Sequence, residues 1–109
     1  MALFDEELMQ KAMRLHRDAL VIDTHSDLPF RMIDDSVDIG VRREEGHQDL
    51  PRMREGGLDV QFLALYVAAA YAEQGGLRRC LEMLNLVMAA RDKYPDQFDL
   101  ADSPEQVRE

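Results

Sequence analysis

Two short apolar runs constrain the possible folds of this chain more than any other feature of its sequence. Residues 19–23 read Ala-Leu-Val-Ile-Asp, and residues 58–67 form a second run that is interrupted by Asp59 and Gln61. A short, continuous apolar run with β-branched residues is typical of a strand that is covered on both faces, as in a parallel sheet. We therefore predict two buried strands at these positions.

Helical patterns flank the two predicted strands. Apolar residues recur on one face between residues 5 and 17, and residues 49–57 have a Pro near the start and a Gly as a stop, which predicts one or two helical turns. After a loop at 68–76 comes a longer helix that ends at Pro95. Its predicted buried stripe comprises Leu77, Cys80, Leu81, Leu84, Val87 and Met88. This order of helices and strands is typical of a parallel α/β protein.

The remaining segments are polar or short. Residues 25–46 are rich in acidic side chains and predict a long loop, and long loops in compact domains are often functional. Residues 98–101 predict a very short strand. The sequence Ser103-Pro104-Glu105-Gln106 has the pattern of a helix N-terminus, with Ser as the cap. Because the chain ends soon after this start, we expect it to be part of a longer polypeptide.

Composition excludes several classes of function. Hydrophobic residues make up 46% of the 109 residues, which is enough for a packed core and argues against global disorder. The net charge of −9 argues against binding nucleic acid or anionic lipid, since both need clustered Lys and Arg. The single cysteine, Cys80, has no partner for a disulfide. Without a signal peptide or a membrane span in the sequence, we expect a cytoplasmic location and no membrane partner.

One motif carries candidate chemistry. The first apolar run leads directly into His25-Ser26-Asp27-Leu28-Pro29. Residues i and i+2 of an extended chain project to the same side, so the His25 imidazole and the Asp27 carboxylate can converge just beyond the strand. Neutral imidazole and carboxylate form a suitable ligand pair for zinc, and sites in parallel α/β folds lie at this end of the strands. The alternative is a polar loop in which Asp27 caps the next turn.

Two blocks of this sequence resemble a known family. A strand that leads into His-x-Asp-Leu-Pro and then an aromatic residue, here Phe30, is similar to the N-terminal signature of the renal dipeptidases, peptidase family M19. A second block, Asp-Leu-Pro-Arg-Met-Arg-Glu-Gly-Gly at residues 49–57, is followed by Gln61-Phe62 and Tyr66, as in the second βα step of that family. The order and spacing of the two blocks match as well.

The resemblance implies a fold and an activity. Residues 1–109 would form the N-terminal part of a single (β/α)8 barrel, incomplete in this chain, of the metallo-dependent hydrolase kind. Family members are zinc-dependent dipeptidases with two zinc ions, and they hydrolyse dipeptides that include some with D-residues at the C-terminal side. His25 and Asp27 match two ligands of the first zinc ion. Phe30 and Tyr66 match aromatic positions that line the substrate pocket.

The resemblance also implies what this segment lacks. The remaining metal ligands and the catalytic groups of the family come from later strands, so we expect no catalytic residue here and no activity of the segment alone. His47 matches no metal position of the family. His16 lies near a helix C-terminus, where the helix dipole favours a histidine, so we expect a structural role for it and not a ligand role. Two alternatives stay open: a non-catalytic α/β interaction domain, or another two-metal amidohydrolase such as a deacylase. Open strand edges predict self-association or a completing polypeptide.

Overall fold

Helices and strands alternate along the part of the chain that the structure describes. This structure is a computed structural model, and it describes residues 5–108. The elements in chain order are α1 (Glu6–Asp18), β1 (Ile22–Ser26), α2 (Leu28–Asp34), α3 (Leu50–Glu55), β2 (Val60–Leu63), a short 3-10 helix (Ala69–Tyr71), α4 (Gly76–Lys93) and α5 (Pro104–Arg108). The mixture is consistent with the predicted α/β class. The predicted barrel is not visible in this segment and stays a prediction.

The two strands pair in parallel, as the sequence predicts. Ile22 lies opposite Val60, and the pairing starts where the carbonyl of Val21 accepts hydrogen bonds from the N–H groups of Asp59 and Val60, at 3.0 and 3.1 Å. It ends where the N–H of Ala64 donates to the carbonyl of Ser26 at 2.8 Å. Because the strands are parallel, their carboxyl ends lie at the same edge of the sheet, where sites form in α/β folds.

The register of the sheet shifts by one residue just before the His-x-Asp motif. Asp23 lies opposite Gln61 while Ser26 lies opposite Leu63, so three steps along β1 match two steps along β2. The extra residue falls at Thr24 or His25. Such irregularities bend a strand and change the direction in which its side chains project.

Several predicted boundaries are wrong. β1 begins and ends three residues later than the predicted strand at 19–23, and β2 is shorter than the predicted strand at 58–67. Residues 98–101 form no strand. The predicted loop at 25–46 contains α2, which the polar composition of that stretch conceals. The apolar residues of α2 that are buried are Leu28, Pro29 and Met32.

The core lies between α2 and α4. It consists of Leu28 and Met32 from α2, Ile39 from the following loop, and Met83 and Val87 from α4. Met83 and Val87 are four residues apart and therefore lie on one helical face. Pro29 is buried in the first turn of α2, where its missing N–H costs no helical hydrogen bond.

The predicted apolar surfaces are only partly buried within residues 5–108. Of the stripe predicted for α4, Val87 is buried, whereas Leu77, Leu81, Leu84 and Met88 are 37–76% exposed. The strands are also not covered on both faces, because Ile22 is 45% and Phe62 is 59% exposed. The sequence pattern identifies apolar surface correctly, but it does not say which part of that surface finds a partner in this segment.

A partly exposed ionic contact joins the loop after α2 to the end of α4. Asp38 accepts hydrogen bonds from Lys93 Nζ at 2.7 Å, from the Tyr94 hydroxyl at 2.8 Å and from the N–H of Gly40 at 3.0 Å. Gly40 lies directly under the Tyr94 ring, so any larger side chain there would overlap the ring. The hydrogen bonds from Lys93 and Tyr94 hold the pKa of the Asp38 carboxyl below its ordinary value of 3.8.

No helix among residues 5–108 is both long enough and apolar enough to cross a membrane.

We expect Asp38 to contribute to the acid sensitivity of the fold. Its pKa is depressed in the folded state, so the stabilisation is present above 3.8 and is lost as the pH falls through the lower folded value. Replacing Asp38 by Asn removes that protonation step. The free energy of unfolding, measured by urea denaturation from pH 6 to pH 2, should therefore fall less steeply for Asp38→Asn than for the parent chain. Equal slopes would contradict this assignment.

Candidate metal centre

His25 and Asp27 lie together at the carboxyl end of β1. The Nε2 atom of His25 is 3.1 Å from Oδ1 of Asp27. Because a carboxylate can only accept, Nε2 carries the proton of this hydrogen bond. The two side chains are 66% and 55% exposed, so a solute can reach both of them. The predicted convergence of the two groups is present.

The local backbone brings these side chains together in a different way from the one predicted. His25 lies within β1, beside the register shift, but Asp27 lies beyond the strand at the N-terminus of α2, with φ −87° and ψ 22°. That backbone is a turn and not an extended chain. Ser26, between them, is buried and so points away from solvent. The irregular strand and the turn together produce the alignment that simple alternation predicts.

The donor set suits a metal ion. An imidazole nitrogen and a carboxylate oxygen bind zinc at about 2.0–2.2 Å, and two such atoms on a tetrahedral zinc lie roughly 3.4 Å apart. The observed separation of 3.1 Å is close to that value. The set is also incomplete, since residues 5–108 contain no group of three or more His, Cys, Asp or Glu side chains that could hold a metal ion. Two ligands are fewer than the three that catalytic zinc sites use.

An open cleft of about 340 Å³ lies beside Asp27. Its walls come from the carboxyl end of β1, from α2 and from the loop before α3. It carries both charge signs, and its lining residues are Ser26, Asp27, Leu28, Arg31, Asp35, Arg43, Glu45, Gly46, His47 and Gln48. His47 therefore lies near the candidate ligands without joining a metal-binding group. His16 lies elsewhere, where its Nε2 donates to the carbonyl of Gly56 at 2.6 Å.

The two predicted substrate-binding aromatic residues contact each other. The ring centroids of Phe30 and Tyr66 are 6.0 Å apart and the ring planes are tilted by 54°. This geometry is favourable for an aromatic pair. Phe30 is half-buried, and Tyr66 is 52% exposed, so the pair presents an accessible apolar surface. Neither ring is part of the cleft lining.

Comparison with known proteins now identifies the family. The sequence pattern of the membrane dipeptidases, peptidase family M19, matches residues 9–109. The chain belongs to this family. It is 28% identical over 97 residues to Dipeptidase 3 of Mus musculus and 27% identical over 97 residues to Dipeptidase 3 of Rattus norvegicus. Each alignment covers 84% of this chain and 20% of the relative, so the chain spans about one fifth of the length of these relatives.

This member of the membrane dipeptidase family contains the tripeptide Asp-Leu-Pro twice, and the two copies behave differently. At the start of α3, Asp49 is fully buried and its carboxylate accepts from the N–H of Arg52 at 2.8 Å, as a helix cap does. At the start of α2, Asp27 makes no capping hydrogen bond. Its carboxylate faces His25 instead. Asp27 thus occupies the N-cap position of α2, but its side chain does not cap the helix as the alternative interpretation expected.

The buried carboxylate of Asp49 was not identified from the sequence. Burial alone would raise its pKa, but hydrogen bonds from the N–H groups of Arg52 and Arg43, together with the Arg52 guanidinium, outweigh burial and lower the pKa below 3.8. Arg52 Nε lies 2.5 Å from the carboxylate. The signal in the sequence was the pattern Asp-x-x-Arg at a helix start, which is also found at exposed caps.

The contrast between the two tripeptides predicts different costs of truncation. Asp49→Ala removes a buried cap and leaves its donors unpaired, so we expect a loss of about 2–3 kcal/mol in the free energy of unfolding. Asp27→Ala removes an exposed carboxylate without a capping role, so we expect a change within about 0.5 kcal/mol. Urea denaturation followed by circular dichroism measures both values. A loss for Asp27→Ala as large as that for Asp49→Ala would indicate a structural role for Asp27.

Proposed function

We propose that this chain provides the first ligand pair of a zinc-dependent dipeptidase, with His25 and Asp27 bound to the first of two zinc ions. The observation that supports this proposal most directly is the 3.1 Å separation of two solvent-accessible ligand atoms at the carboxyl end of a parallel strand. A second observation is that the Asp27 carboxylate makes no capping hydrogen bond to α2. Membership of the membrane dipeptidase family agrees with this chemistry.

The role of the two side chains would be to hold and orient the first zinc ion. His25 would have to be neutral and Asp27 ionised to hold a metal ion, and Nε2 could act as the ligand atom only with the imidazole proton on Nδ1. When bound, zinc supplies Lewis acidity to the scissile carbonyl of a peptide. Both ligands are fixed on ordered backbone, one on a strand and the other at the first turn of a helix, which limits their movement.

The substrate proposed is a dipeptide, including dipeptides with a D-residue at the C-terminal side. Phe30 and Tyr66 form the accessible aromatic surface that would contact its side chain. The cleft beside Asp27 has both Arg and carboxylate side chains on its walls, which suits a ligand that carries both an amino and a carboxyl group. The two relatives are named as dipeptidases.

Completion of the site requires more chain than this segment provides. A (β/α)8 barrel takes about 250 residues, and a catalytic zinc takes about three protein ligands. We propose that residues 1–109 are the N-terminal part of such a barrel. The exposed apolar residues of α4 and of the strands would be covered by further barrel elements, by a separate completing polypeptide or by self-association.

Zinc binding by the full 109-residue chain tests the ligand pair. We expect His25→Ala to weaken zinc binding about tenfold or more in isothermal titration calorimetry, because it removes one of two ligands. His47→Ala is the matched control, since His47 is an exposed histidine beside the same cleft. Equal zinc affinity of His25→Ala and the parent chain would contradict the proposed site and favour a non-catalytic interaction domain.

Hydrolysis tests the catalytic part of the proposal. We expect the zinc-loaded chain to cleave an alanyl dipeptide no faster than zinc alone, because two ligands do not complete a catalytic site. In a polypeptide where this segment continues through the remaining strands of a family barrel, we expect cleavage, and we expect His25→Ala to lower kcat/KM about 100-fold or more. Substrates with L- and D-alanine at the C-terminal side measure the stereochemical preference. A longer protein that is fully active with His25→Ala would refute the assignment.

A further inference from the structure

A series of side-chain hydrogen bonds connects the backbone N–H of Leu28, which follows His25, to the backbone carbonyl of Asp23, which precedes it. The N–H of Leu28 donates to Ser26 Oγ at 3.2 Å, and the Ser26 hydroxyl donates to Oε1 of Gln48. Nε2 of Gln48 donates to Oε1 of Gln61 at 2.8 Å. Nε2 of Gln61 lies 3.4 Å from the carbonyl of Asp23. The series therefore spans residues 23–28, and both candidate ligands lie within that span.

The direction of every bond in this series is determined by its two ends. The N–H of Leu28 can only donate, so the Ser26 oxygen accepts there and its proton is free for Gln48. At the other end, Gln61 Nε2 faces two carbonyl oxygens, those of Asp23 and Phe62, and these can only accept. Gln61 must therefore present Oε1 to Gln48. Gln48, like Gln61, therefore has to accept with one end of its amide and donate with the other.

Gln48 is itself held in place by its neighbour in the sequence. Asp49 is fully buried and binds the N–H of Arg43 at 3.0 Å and that of Arg52 at 2.8 Å. This fastens the end of the loop next to β1. The residues that precede the two Asp-Leu-Pro tripeptides, Ser26 and Gln48, are thus hydrogen-bonded to each other. Ser26 is 9% exposed, so its hydroxyl has little water available as an alternative partner.

We propose that Gln48 is a positioning residue, which acts through Ser26 to set the spacing of the His25 and Asp27 side chains. Ser26 is the residue between the two candidate ligands. Its side chain is buried, whereas the side chains of His25 and Asp27 are exposed. Because the Ser26 hydroxyl is bonded both to Gln48 and to the N–H of Leu28, it restrains the turn of backbone that carries Asp27. The inference that this arrangement prepares His25 and Asp27 to bind a metal ion rests on the proposed function. The arrangement itself does not, because every bond in it joins two groups of this chain.

The sharpest test is Gln48→Glu, which keeps the shape of the side chain and removes its ability to donate. A carboxylate at position 48 still accepts from Ser26 but opposes the oxygen of Gln61, so the chain of bonds is broken at one point. Gln74→Glu is the matched control, because it makes the same charge change at an exposed loop position. Ser26→Ala breaks the chain at a second point, and Ser26→Thr restores the hydroxyl.

The first measurement is the chemical shifts of the two ring nitrogens of His25 in the 109-residue chain without added metal. We expect Gln48→Glu and Ser26→Ala to shift the His25 signals toward those of an Asp27→Asn variant, since each loosens the contact between His25 and Asp27. The signals of His16, which lies at another part of the fold, should stay unchanged. Gln74→Glu should match the parent chain, and Ser26→Thr should restore its His25 signals. His25 signals that are identical in Gln48→Glu and Gln74→Glu would overturn the proposal.

The second measurement is zinc affinity. Substitution of groups that orient a metal ligand typically weakens metal binding by 10–100-fold, so we expect about tenfold weaker binding for Gln48→Glu and Ser26→Ala, and recovery with Ser26→Thr. A zinc affinity that depends on His25 but is unaffected by Gln48→Glu would refute the positioning role alone. A zinc affinity that does not depend on His25 would refute the proposed function instead. If Gln48→Glu does not fold, the comparison of Ser26→Ala with Ser26→Thr gives the same decision.

Discussion

The parallel pairing of β1 with β2 is the constraint on which the rest of this structure depends. Parallel neighbours need a crossover between them, and here residues 27–59 provide it with α2, a long loop and α3. The crossover brings Gln48 and the buried Asp49 back to the edge of the sheet where β1 ends. It also places α2 where α4 can pack on it. The candidate ligands, the cleft and the hydrogen-bond chain all lie at that edge.

Two carboxylates show how burial decides what the same tripeptide does. Asp49 is fully buried, and its carboxylate oxygens are hydrogen-bonded to donors of Arg43 and Arg52. Asp27 is exposed, has no donor from its own helix and faces an imidazole. A buried, fully bonded carboxylate stabilises the structure, whereas an accessible one with a single partner is available to bind a ligand. The proposed metal ligand is therefore Asp27, the carboxylate that caps no helix.

The sequence predicted what depends on near neighbours and failed where distant partners decide. The helix at the start and the existence of the two strands follow from patterns within a few residues. The meeting of His25 with Asp27 was predicted from simple alternation, but an irregular strand and a turn produce it. The buried face predicted for α4 was only partly right: Val87 is buried, but the fully buried Met83 lies outside the predicted stripe. The apolar side that is covered depends on α2, some fifty residues away. Helix α2 was missed since it buries few residues within a polar stretch. Gln48 was missed as well, because a polar residue in a loop has no periodic signal.

The register shift in β1 makes the direction of the His25 side chain depend on the length of the strand. Three steps on β1 are matched to two on β2, so the strand contains one residue more than its neighbour between Asp23 and Ser26. Side chains alternate between the faces of a sheet with each residue. Loss of Thr24 would therefore make the two strands equal in length here and change the direction in which the imidazole projects from the sheet, although every residue of the His-x-Asp-Leu-Pro signature remained. In sequences of this kind, the number of residues before the histidine is as informative as the motif itself.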